Sequence, residues 1–275
     1  MIITIKNKEN RITLLELLKD NYFSKDLIKK LKKKYDMYSY VEEKETIDIE
    51  LPDEQTTVEP SKGNINIIYE DEYLLIVNKE KGLSSIPSIR HYKDNLASYI
   101  KYYFDSNNIN SGLHFINRLD KDTQGLLIIA KHQYIQSLFV KKNIEITKKY
   151  LTKVKRFPYS EITVEKPIAR YLETNKRCID ETGDYAKTLF RKIESFKDYD
   201  LIEATLFTGR THQIRVHLQS LNTPIIGDVI YGNEEGEFYL CSYYLEFIHP
   251  ITNENFYLSI LNNKFSFVIG WINSK

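Results

Sequence analysis

The residues best suited to chemistry lie in the polar stretch 117–125, directly before the apolar run 126–130. That run is short, rich in branched residues and bounded by Gly and Lys, which predicts a buried strand. The polar stretch then becomes a loop that presents Arg118, Asp120 and Thr123 at the start of the strand. Two interpretations stay open: Asp120 is a reactive carboxylate in a partly buried place, or the loop charges only satisfy one another and nearby backbone donors.

A second polar stretch, 208–213, leads into a predicted helix for which Thr211 is a possible cap. Apolar residues recur there with the spacing of one helical face that packs on a sheet. These residues are Ile214, Leu218 and Leu221. Arg215 lies at the edge of that face, so its guanidinium could follow the rim of the core and reach a carboxylate. We predict that this carboxylate is Asp120, because an Arg at hydrogen-bonding distance favours the ionised form of a desolvated acid.

Three segments resemble motifs of the RluA family of RNA pseudouridine synthases, and they occur in the family's order. The segments are Arg118-Leu119-Asp120 with Thr123 and Gly125, Lys149-Tyr150-Leu151-Thr152, and Gly209-Arg210-Thr211-His212-Gln213-Ile214-Arg215. Asn117 stands where a His often precedes the Arg, and Gln124 stands where a Ser often precedes the Gly. The resemblance covers roughly residues 65–261.

The resemblance implies the site residues. The Asp of the first motif is catalytic in the family, which points to Asp120, and Tyr150 occupies the position of the active-site tyrosine. Arg215 completes the predicted catalytic set. Substrate contacts are expected from the motif segments and from the Asn-Lys segment that resembles a further family motif. The predicted substrate-binding residues are Asn78, Lys79, Arg118, Thr123, Arg210, His212, Gln213 and Leu218.

The implied reaction breaks the N1–C1′ bond of a uridine and rejoins the base through C5, so no cofactor is expected. A carboxylate acts either as the nucleophile or as the base that starts glycal formation, and the sequence leaves both open. Tyr150 could accept the proton that leaves C5, directly or through water, while its ring contacts the base. Arg118 is the predicted side chain to fill the space left by an extruded uridine.

Composition limits the alternatives. The 275-residue chain has a net charge of +1 and two cysteines, Cys178 and Cys241, which are far apart and have no ligand spacing. This argues against a disulfide framework and a zinc site, and is compatible with a reducing cytosol. His212 and His217 lack a carboxylate or Cys partner and make a poor metal-ligand set. We expect a soluble, cytoplasmic monomer without metal or membrane association.

The N-terminal region has an uneven charge. Residues 1–34 hold ten Lys or Arg against four acids, whereas residues 41–60 hold eight acids and one Lys. Two short helices, the second capped by Ser24, precede a strand near residue 46, and this order resembles the S4 RNA-binding module. Its predicted phosphate-contacting residues are Lys29, Lys30 and Lys33. A helical appendage with a solvated basic face is the open alternative.

The sequence therefore predicts an α+β protein. Residues 1–60 would form a small S4-like domain, shortened, with a linker, and residues 61–275 a pseudouridine synthase domain. The latter would contain a mixed, largely antiparallel sheet with flanking helices and a central cleft. The predicted function is isomerisation of specific uridines in ribosomal or transfer RNA. A non-catalytic RNA-binding protein of the same fold is the alternative, and a glycosidase lacks a convincing second acid.

Overall fold

The computed structural model describes residues 1–87, 92–172, 174, 176–232 and 236–261, and it begins with a small unit of helices and short strands. The elements of this N-terminal unit are β1 Ile2–Lys6, β2 Ile12–Thr13, α1 Leu14–Asp20, α2 Lys25–Leu31, β3 Tyr40–Val41 and β4 Thr46–Glu50. The side chains of Thr13 and Ser24 cap the two helices by accepting first-turn N–H groups. Both predicted helices and the strand near residue 46 are confirmed, whereas β1, β2 and β3 were not predicted.

The remaining elements follow an irregular connection over residues 51–65. They are β5 Asn66–Glu70, β6 Leu74–Lys79, α3 Leu96–Ser106, β7 His114–Phe115, β8 Gln124–Ala130, α4 Gln133–Lys141, β9 Thr147–Val154, β10 Glu161–Glu165, β11 Ile168–Arg170, β12 Arg177–Ile179, β13 Lys187–Ser195, β14 Asp200–Leu206, α5 Gln213–Ser220, β15 Leu240–Ile248 and β16 Asn255–Ser259.

Ten of these strands form one large sheet in the order β10-β13-β14-β9-β15-β8-β6-β5, with β16 paired to β15 and β7 to β8. Among the described strand pairs, only β15 and β8 run parallel, and they pair Cys241 with Gln124 and Ser242 with Gly125. The predicted mixed, largely antiparallel sheet is confirmed. The parallel contact brings β15 from late in the chain between β8 and β9, and these three strands meet at the centre of the sheet.

The two faces of the sheet carry separate hydrophobic cores because strand side chains alternate between faces. Leu74 and Ile76 of β6 belong to one core, and Leu75 and Val77 belong to the other. Helix α4 packs on the first face. Helices α3 and α5 pack on the second face, which is also the face of Tyr150.

The N-terminal unit shares the first core with the large sheet. The rings of Phe23 and Tyr134 lie 4.3 Å apart between their centroids, and the Tyr134 hydroxyl donates to the Asn21 carbonyl oxygen at 2.8 Å. Leu17 and Leu18 of α1 are buried in the same cluster as β8 residues. The unit is therefore packed onto α4. Its assignment as an S4-like RNA-binding domain, with a boundary near residue 60, stays a prediction.

Candidate active site

The loop between β7 and β8 is fastened to its surroundings on both sides of Asp120. Asn117 accepts a hydrogen bond from the Ile128 N–H at 2.8 Å and so joins the start of the loop to β8. Ser85 donates to the Leu119 carbonyl oxygen at 2.7 Å. Buried Leu119 anchors the loop in the second core. These contacts leave the Asp120 side chain about one-third exposed, at 32% of its full accessibility.

Gly125 permits the close approach of β8 to β15. Its φ is +116°, and a Cβ atom there would lie 2.2 Å from the Ser242 carbonyl oxygen. A side chain is therefore excluded at this position on both conformational and steric grounds. The Gly at the end of the Asp120 motif thus allows the Asp120 loop to lie close to the central strands.

Lys79 holds the other end of this loop instead of facing substrate. Its side chain is buried, and its ammonium donates to the carbonyl oxygens of Glu80, Leu83 and Lys121 at 2.8–3.0 Å. Burial lowers the pKa of Lys79 to about 8, and the charges of Asp122 and Asp120 oppose this shift. Its three donor positions are used by these carbonyl oxygens, so in this structure the residue supports the loop, and its predicted substrate contact stays a prediction.

Strand β9 presents two polar side chains to the space in front of Asp120. Lys148 and Tyr150 are two positions apart, so they leave the same face of the strand, and both line the cleft that Asp120 lines. Burial raises the pKa of Tyr150, and the charge of Asp120 raises it further. Burial also lowers the pKa of Lys148. Sequence reasoning found Tyr150 and missed Lys148, although the two-residue alternation of a strand could have indicated it.

Helix α5 begins one residue later than predicted. The residue before its first turn is His212, with φ of +58° and no side-chain cap, so Thr211 is not the cap. The side chain of Gln213 makes the hydrogen bonds that hold this turn in place. It accepts from the Thr208 hydroxyl and the Arg210 N–H, and it donates to the Lys187 carbonyl oxygen and the Thr188 hydroxyl. With both ends of its amide engaged, Gln213 positions the turn, and its predicted role in substrate binding is not supported.

Arg215 does not pair with Asp120 as predicted. Its Nε and Nη2 atoms donate to the two carboxylate oxygens of Asp228 at 2.8 and 2.6 Å, and both side chains are buried. Asp228 also accepts from the N–H groups of Ile230 and Tyr231. Burial alone would lower the pKa of Arg215, but the hydrogen bonds and charge of Asp228, and the charge of Asp120, raise it. Arg215 therefore remains a cation close to Asp120 while Asp228 holds its guanidinium.

His212 is the side chain that faces Asp120 directly. Its Nε2 atom lies 3.9 Å from Oδ2 of Asp120, and its Nδ1 atom lies 2.8 Å from the Tyr231 hydroxyl. The Tyr231 oxygen accepts the Arg177 N–H at 2.8 Å, which leaves its own proton for Nδ1. In that arrangement Nε2 carries the proton and points to Asp120. Burial lowers the pKa of His212, and the charge of Asp120 opposes the shift.

These groups meet in one cleft of about 580 Å³ on the α3 and α5 side of the sheet. The predicted residues that line it are Asp120, Tyr150, Arg215, Arg118, Thr123, Arg210, His212 and Gln213. Leu218 is fully buried in the second core and does not line the cleft, so its substrate contact stays a prediction that this structure does not support. Asn78 lies in β6 opposite Leu126 and is not part of the cleft lining.

The predicted N-terminal phosphate contacts lie outside the cleft. Lys29 and Lys30 are exposed on α2, and Lys33 is exposed in the turn after the helix ends at Leu31. Within the described ranges, no cluster of three or more His, Cys, Asp or Glu residues is arranged to hold a metal ion. Among the helices of the same residues, none is both long and apolar enough to cross a membrane.

Solved structures of similar shape identify the fold. The human protein named RNA Pseudouridylate Synthase Domain Containing 1 aligns with a TM-score of 0.58 and 24% identity, over 72% of this chain and 84% of its own. At that identity the likeness concerns the fold alone. The chain has the fold of that pseudouridylate synthase domain protein.

Sequence comparisons identify the family as well as the fold. Residues 73–220 match the family described as RNA pseudouridylate synthase. The Bacillus subtilis (strain 168) protein called Uncharacterized RNA pseudouridine synthase YjbO is 36% identical over 216 residues, which are 75% of this chain and 76% of its own. The Zymomonas mobilis protein called Ribosomal large subunit pseudouridine synthase D is 33% identical, over 76% and 72%. The chain belongs to the RNA pseudouridylate synthase family, whose members are isomerases.

Proposed function

We propose that this protein converts specific uridines of large-subunit ribosomal RNA to pseudouridine, with Asp120 as the reacting carboxylate. The observation that carries the proposal is the meeting of Asp120, Tyr150 and five cationic side chains in one cleft of a chain from this family. The cations are Arg118, Lys121, Lys148, Arg210 and Arg215. The choice of ribosomal RNA rests on relatives whose names include the ribosomal large subunit.

The reaction needs a carboxylate that reaches the sugar of an extruded nucleotide. Asp120 is partly exposed at the cleft surface, on a loop that Asn117 and Lys79 fasten from both ends. Its carboxylate can attack C1′ or remove a proton from C2′, and in either case the N1–C1′ bond breaks and the base leaves with the electron pair. The base turns and its C5 joins C1′; in the first route this breaks the bond between C1′ and the carboxylate, and in the second route the carboxyl group returns its proton to C2′. One proton leaves C5 and one is gained at N1, so atoms and electrons balance without a cofactor.

Cationic groups around Asp120 would stabilise the anionic states of this sequence. Arg215 is buried and is fixed by Asp228, so its charge does not need to reorganise during the reaction. Lys148 lies within the same cleft and can contact the uracil ring or a phosphate. His212 directs the N–H of its Nε2 atom toward Asp120, 3.9 Å from Oδ2, and could donate to the carboxylate after a small approach. Arg215 and Lys148 are in place before the substrate arrives.

Tyr150 acts as a neutral phenol, because burial raises its pKa. This disfavours direct acceptance of the C5 proton by a phenolate. The hydroxyl can still receive that proton if it passes its own to water or to the reacting carboxylate, which makes Tyr150 a relay. Its ring also gives the base an aromatic surface on which to turn.

A non-catalytic RNA-binding protein of the same fold is the competing function. The alternative gives no reason for a partly exposed carboxylate, a neutral tyrosine and a fixed arginine to meet at one point, because a carboxylate repels the phosphates of RNA. Mapping pseudouridines in ribosomal RNA from cells with the gene, without it, and with the gene restored tests the proposal. We expect one or more large-subunit sites to be lost and then recovered. An unchanged pseudouridine map would contradict the proposed substrate.

A further inference from the structure

A second groove, of about 520 Å³, adjoins the active-site cleft and is rich in arginine. Arg118 and Arg210 belong to the walls of both spaces, together with the backbone of Gly209 and Thr211. Its far wall is the β11–β12 hairpin, which contributes Arg170 and Arg177. The groove therefore continues from the place where Asp120 lies. Asp184 is the one carboxylate among the described residues that line it, and this side chain is 73% exposed.

The hairpin places two of these arginines directly opposite each other. Arg170 and Arg177 are cross-strand partners in the β11–β12 register, so both side chains leave the same face. Like charges at such positions repel each other, and the fold gains nothing from the pair unless an anion lies between them. An anion that binds both guanidinium groups would remove this repulsion. The pairing thus points to a ligand with negative charge.

The hydrogen bonds of the groove leave donors free for such a ligand. Arg170 uses Nε for the Thr174 carbonyl oxygen, and Arg210 uses Nε for the Tyr185 carbonyl oxygen. The Nη1 atom of Arg210 is 3.8 Å from Asp184, which is a loose contact. The Nη1 atom of Arg177 is buried and has no hydrogen-bond partner among the described residues. A buried cationic donor without an acceptor is costly, and a phosphate oxygen would satisfy it.

We propose that this groove binds the phosphodiester backbone next to the extruded uridine. The inference rests on the proposed function, because it takes the target nucleotide to lie in the adjoining cleft. With the base at Asp120, the chain passes Arg118 and Arg210 at the junction and then meets Arg170 and Arg177. The arginine fork suits phosphate oxygens in a two-point contact. Among the described residues that line the groove, none is aromatic, so it offers no ring on which a base could stack and is suited to holding backbone.

Hydrogen bonds also connect the groove to the wall of the cleft that contains His212. The backbone N–H of Arg177 donates to the Tyr231 hydroxyl, and that hydroxyl contacts His212, which faces Asp120. At the base of the hairpin, a Cβ on Gly183 would lie 2.4 Å from the Ile168 carbonyl carbon, so only glycine allows this close contact. RNA bound in the groove would therefore lie against a surface that is fixed relative to the reacting carboxylate.

The test uses the full chain and an in vitro transcript of large-subunit ribosomal RNA. Affinity is measured at several salt concentrations for wild type and for the double variant Arg170→Gln, Arg177→Gln. Each lost phosphate contact should reduce the slope of log affinity against log salt by about 0.7–0.9, so the double variant should lose roughly 1.4–1.8. The variant Arg170→Lys, Arg177→Lys should recover most of the slope. The matched control Arg156→Gln, Arg191→Gln removes the same charge at residues outside both spaces.

The melting temperature adds a second readout. Arg170→Gln alone removes one of two opposed charges and should leave the melting temperature of the RNA-free protein equal or higher. A slope and affinity equal to those of wild type in the glutamine variants would overturn the proposal, as would an equal loss in the control. Failure of the proposed function is a separate result: wild-type protein would bind the transcript but form no pseudouridine. The salt slopes decide the groove assignment in that case too.

Discussion

Arg215 and Asp228 form a buried ion pair in which two hydrogen bonds join one guanidinium to one carboxylate. Asp228 in turn is held by the backbone N–H groups of Ile230 and Tyr231. The guanidinium of Arg215, which lies near Asp120, is thus held in place by Asp228. Because Asp228 binds Arg215, the Asp120 carboxylate is not paired with this guanidinium and stays open to the cleft.

Breaking this pair should destabilise the protein. Arg215→Met or Asp228→Asn leaves one charge buried without its partner, which typically costs about 3–5 kcal/mol. Denaturant unfolding of each variant measures the loss. Arg191→Gln is the control, because its pair with Glu161 is 41% and 49% exposed and should contribute at most about 1 kcal/mol. Values within 1 kcal/mol of wild type for both core variants would show that the pair is not needed for the fold.

The outcome for Arg215 illustrates what sequence can and cannot predict. The apolar spacing around Ile214 predicted the helix and its buried face, because helical periodicity is a local property. The partner of Arg215 depends on which of several acids the tertiary fold brings near. Asp228 lies in a loop only 13 positions later, and nothing in its spacing distinguishes it from Asp120. The motif resemblance favoured Asp120, and packing decided otherwise.

Two further residues, Leu218 and Lys79, were predicted to contact substrate but make contacts within the protein. Leu218 has the i+4 spacing from Ile214 that marks a core position, and its side chain is fully buried as that spacing predicts. From the sequence, the ammonium group of Lys79 is expected to be available to substrate. In the structure it donates to the carbonyl oxygen of Lys121, 42 positions later in the chain. Such a contact exists only once the loop has folded over it. The strand after Gly125 and the tyrosine of β9 were predictable because their patterns are local.

Tyr150→Phe should separate the aromatic surface from the hydroxyl. The ring remains, so RNA should bind with nearly unchanged affinity. Without the relay, product should form at least about a hundredfold more slowly, on the scale of losing a general acid or base. Single-turnover assays with excess enzyme measure the chemical step apart from binding. A Phe variant with the wild-type rate would leave Tyr150 with a packing role alone.

Stability should fall as the pH is lowered because of His217. This residue is fully buried, its Nδ1 atom lies 2.9 Å from the Thr188 hydroxyl, and its Nε2 donates to the Lys166 carbonyl oxygen. Burial lowers the pKa of His217 from 6.5. Below that value the unfolded chain binds a proton that the folded protein does not, so the stability present above pH 6.5 is lost on acidification.

Comparing wild type with His217→Gln tests this directly. Glutamine can keep one donor and one acceptor but does not titrate near neutral pH. Wild type should lose stability faster between pH 7.5 and 5.5, by up to about 1.4 kcal/mol per pH unit for one group. His132 and His212 also have lowered pKa values and contribute equally to both proteins. Parallel pH curves would exclude His217 as a source of the dependence.

The basic turn at the end of α2 should contribute to RNA affinity. Lys29, Lys30 and Lys33 are exposed, and replacing all three by Gln should reduce the salt slope by roughly 2–2.7 if each contacts a phosphate. A triple Arg variant keeps the charge and serves as the control. Substitution is preferable to deleting residues 1–60, because the contact between Phe23 and Tyr134 would then be lost from the shared core. Equal slopes in the Gln variant would assign this region a structural role only.

The role of Asp120 is the central claim, and Asp120→Asn tests it most directly. The amide keeps the shape of the side chain and can still lie beside His212, so folding and RNA affinity should be close to those of wild type. The charge needed for nucleophilic attack or proton removal is gone. The wild-type protein and the Asn variant are each incubated with large-subunit ribosomal RNA that lacks the modification. Pseudouridine is then quantified after complete digestion of the RNA. We predict stoichiometric product with wild type and none above background with the Asn variant. Pseudouridine formation by purified Asp120→Asn at a measurable fraction of the wild-type rate would contradict the assignment.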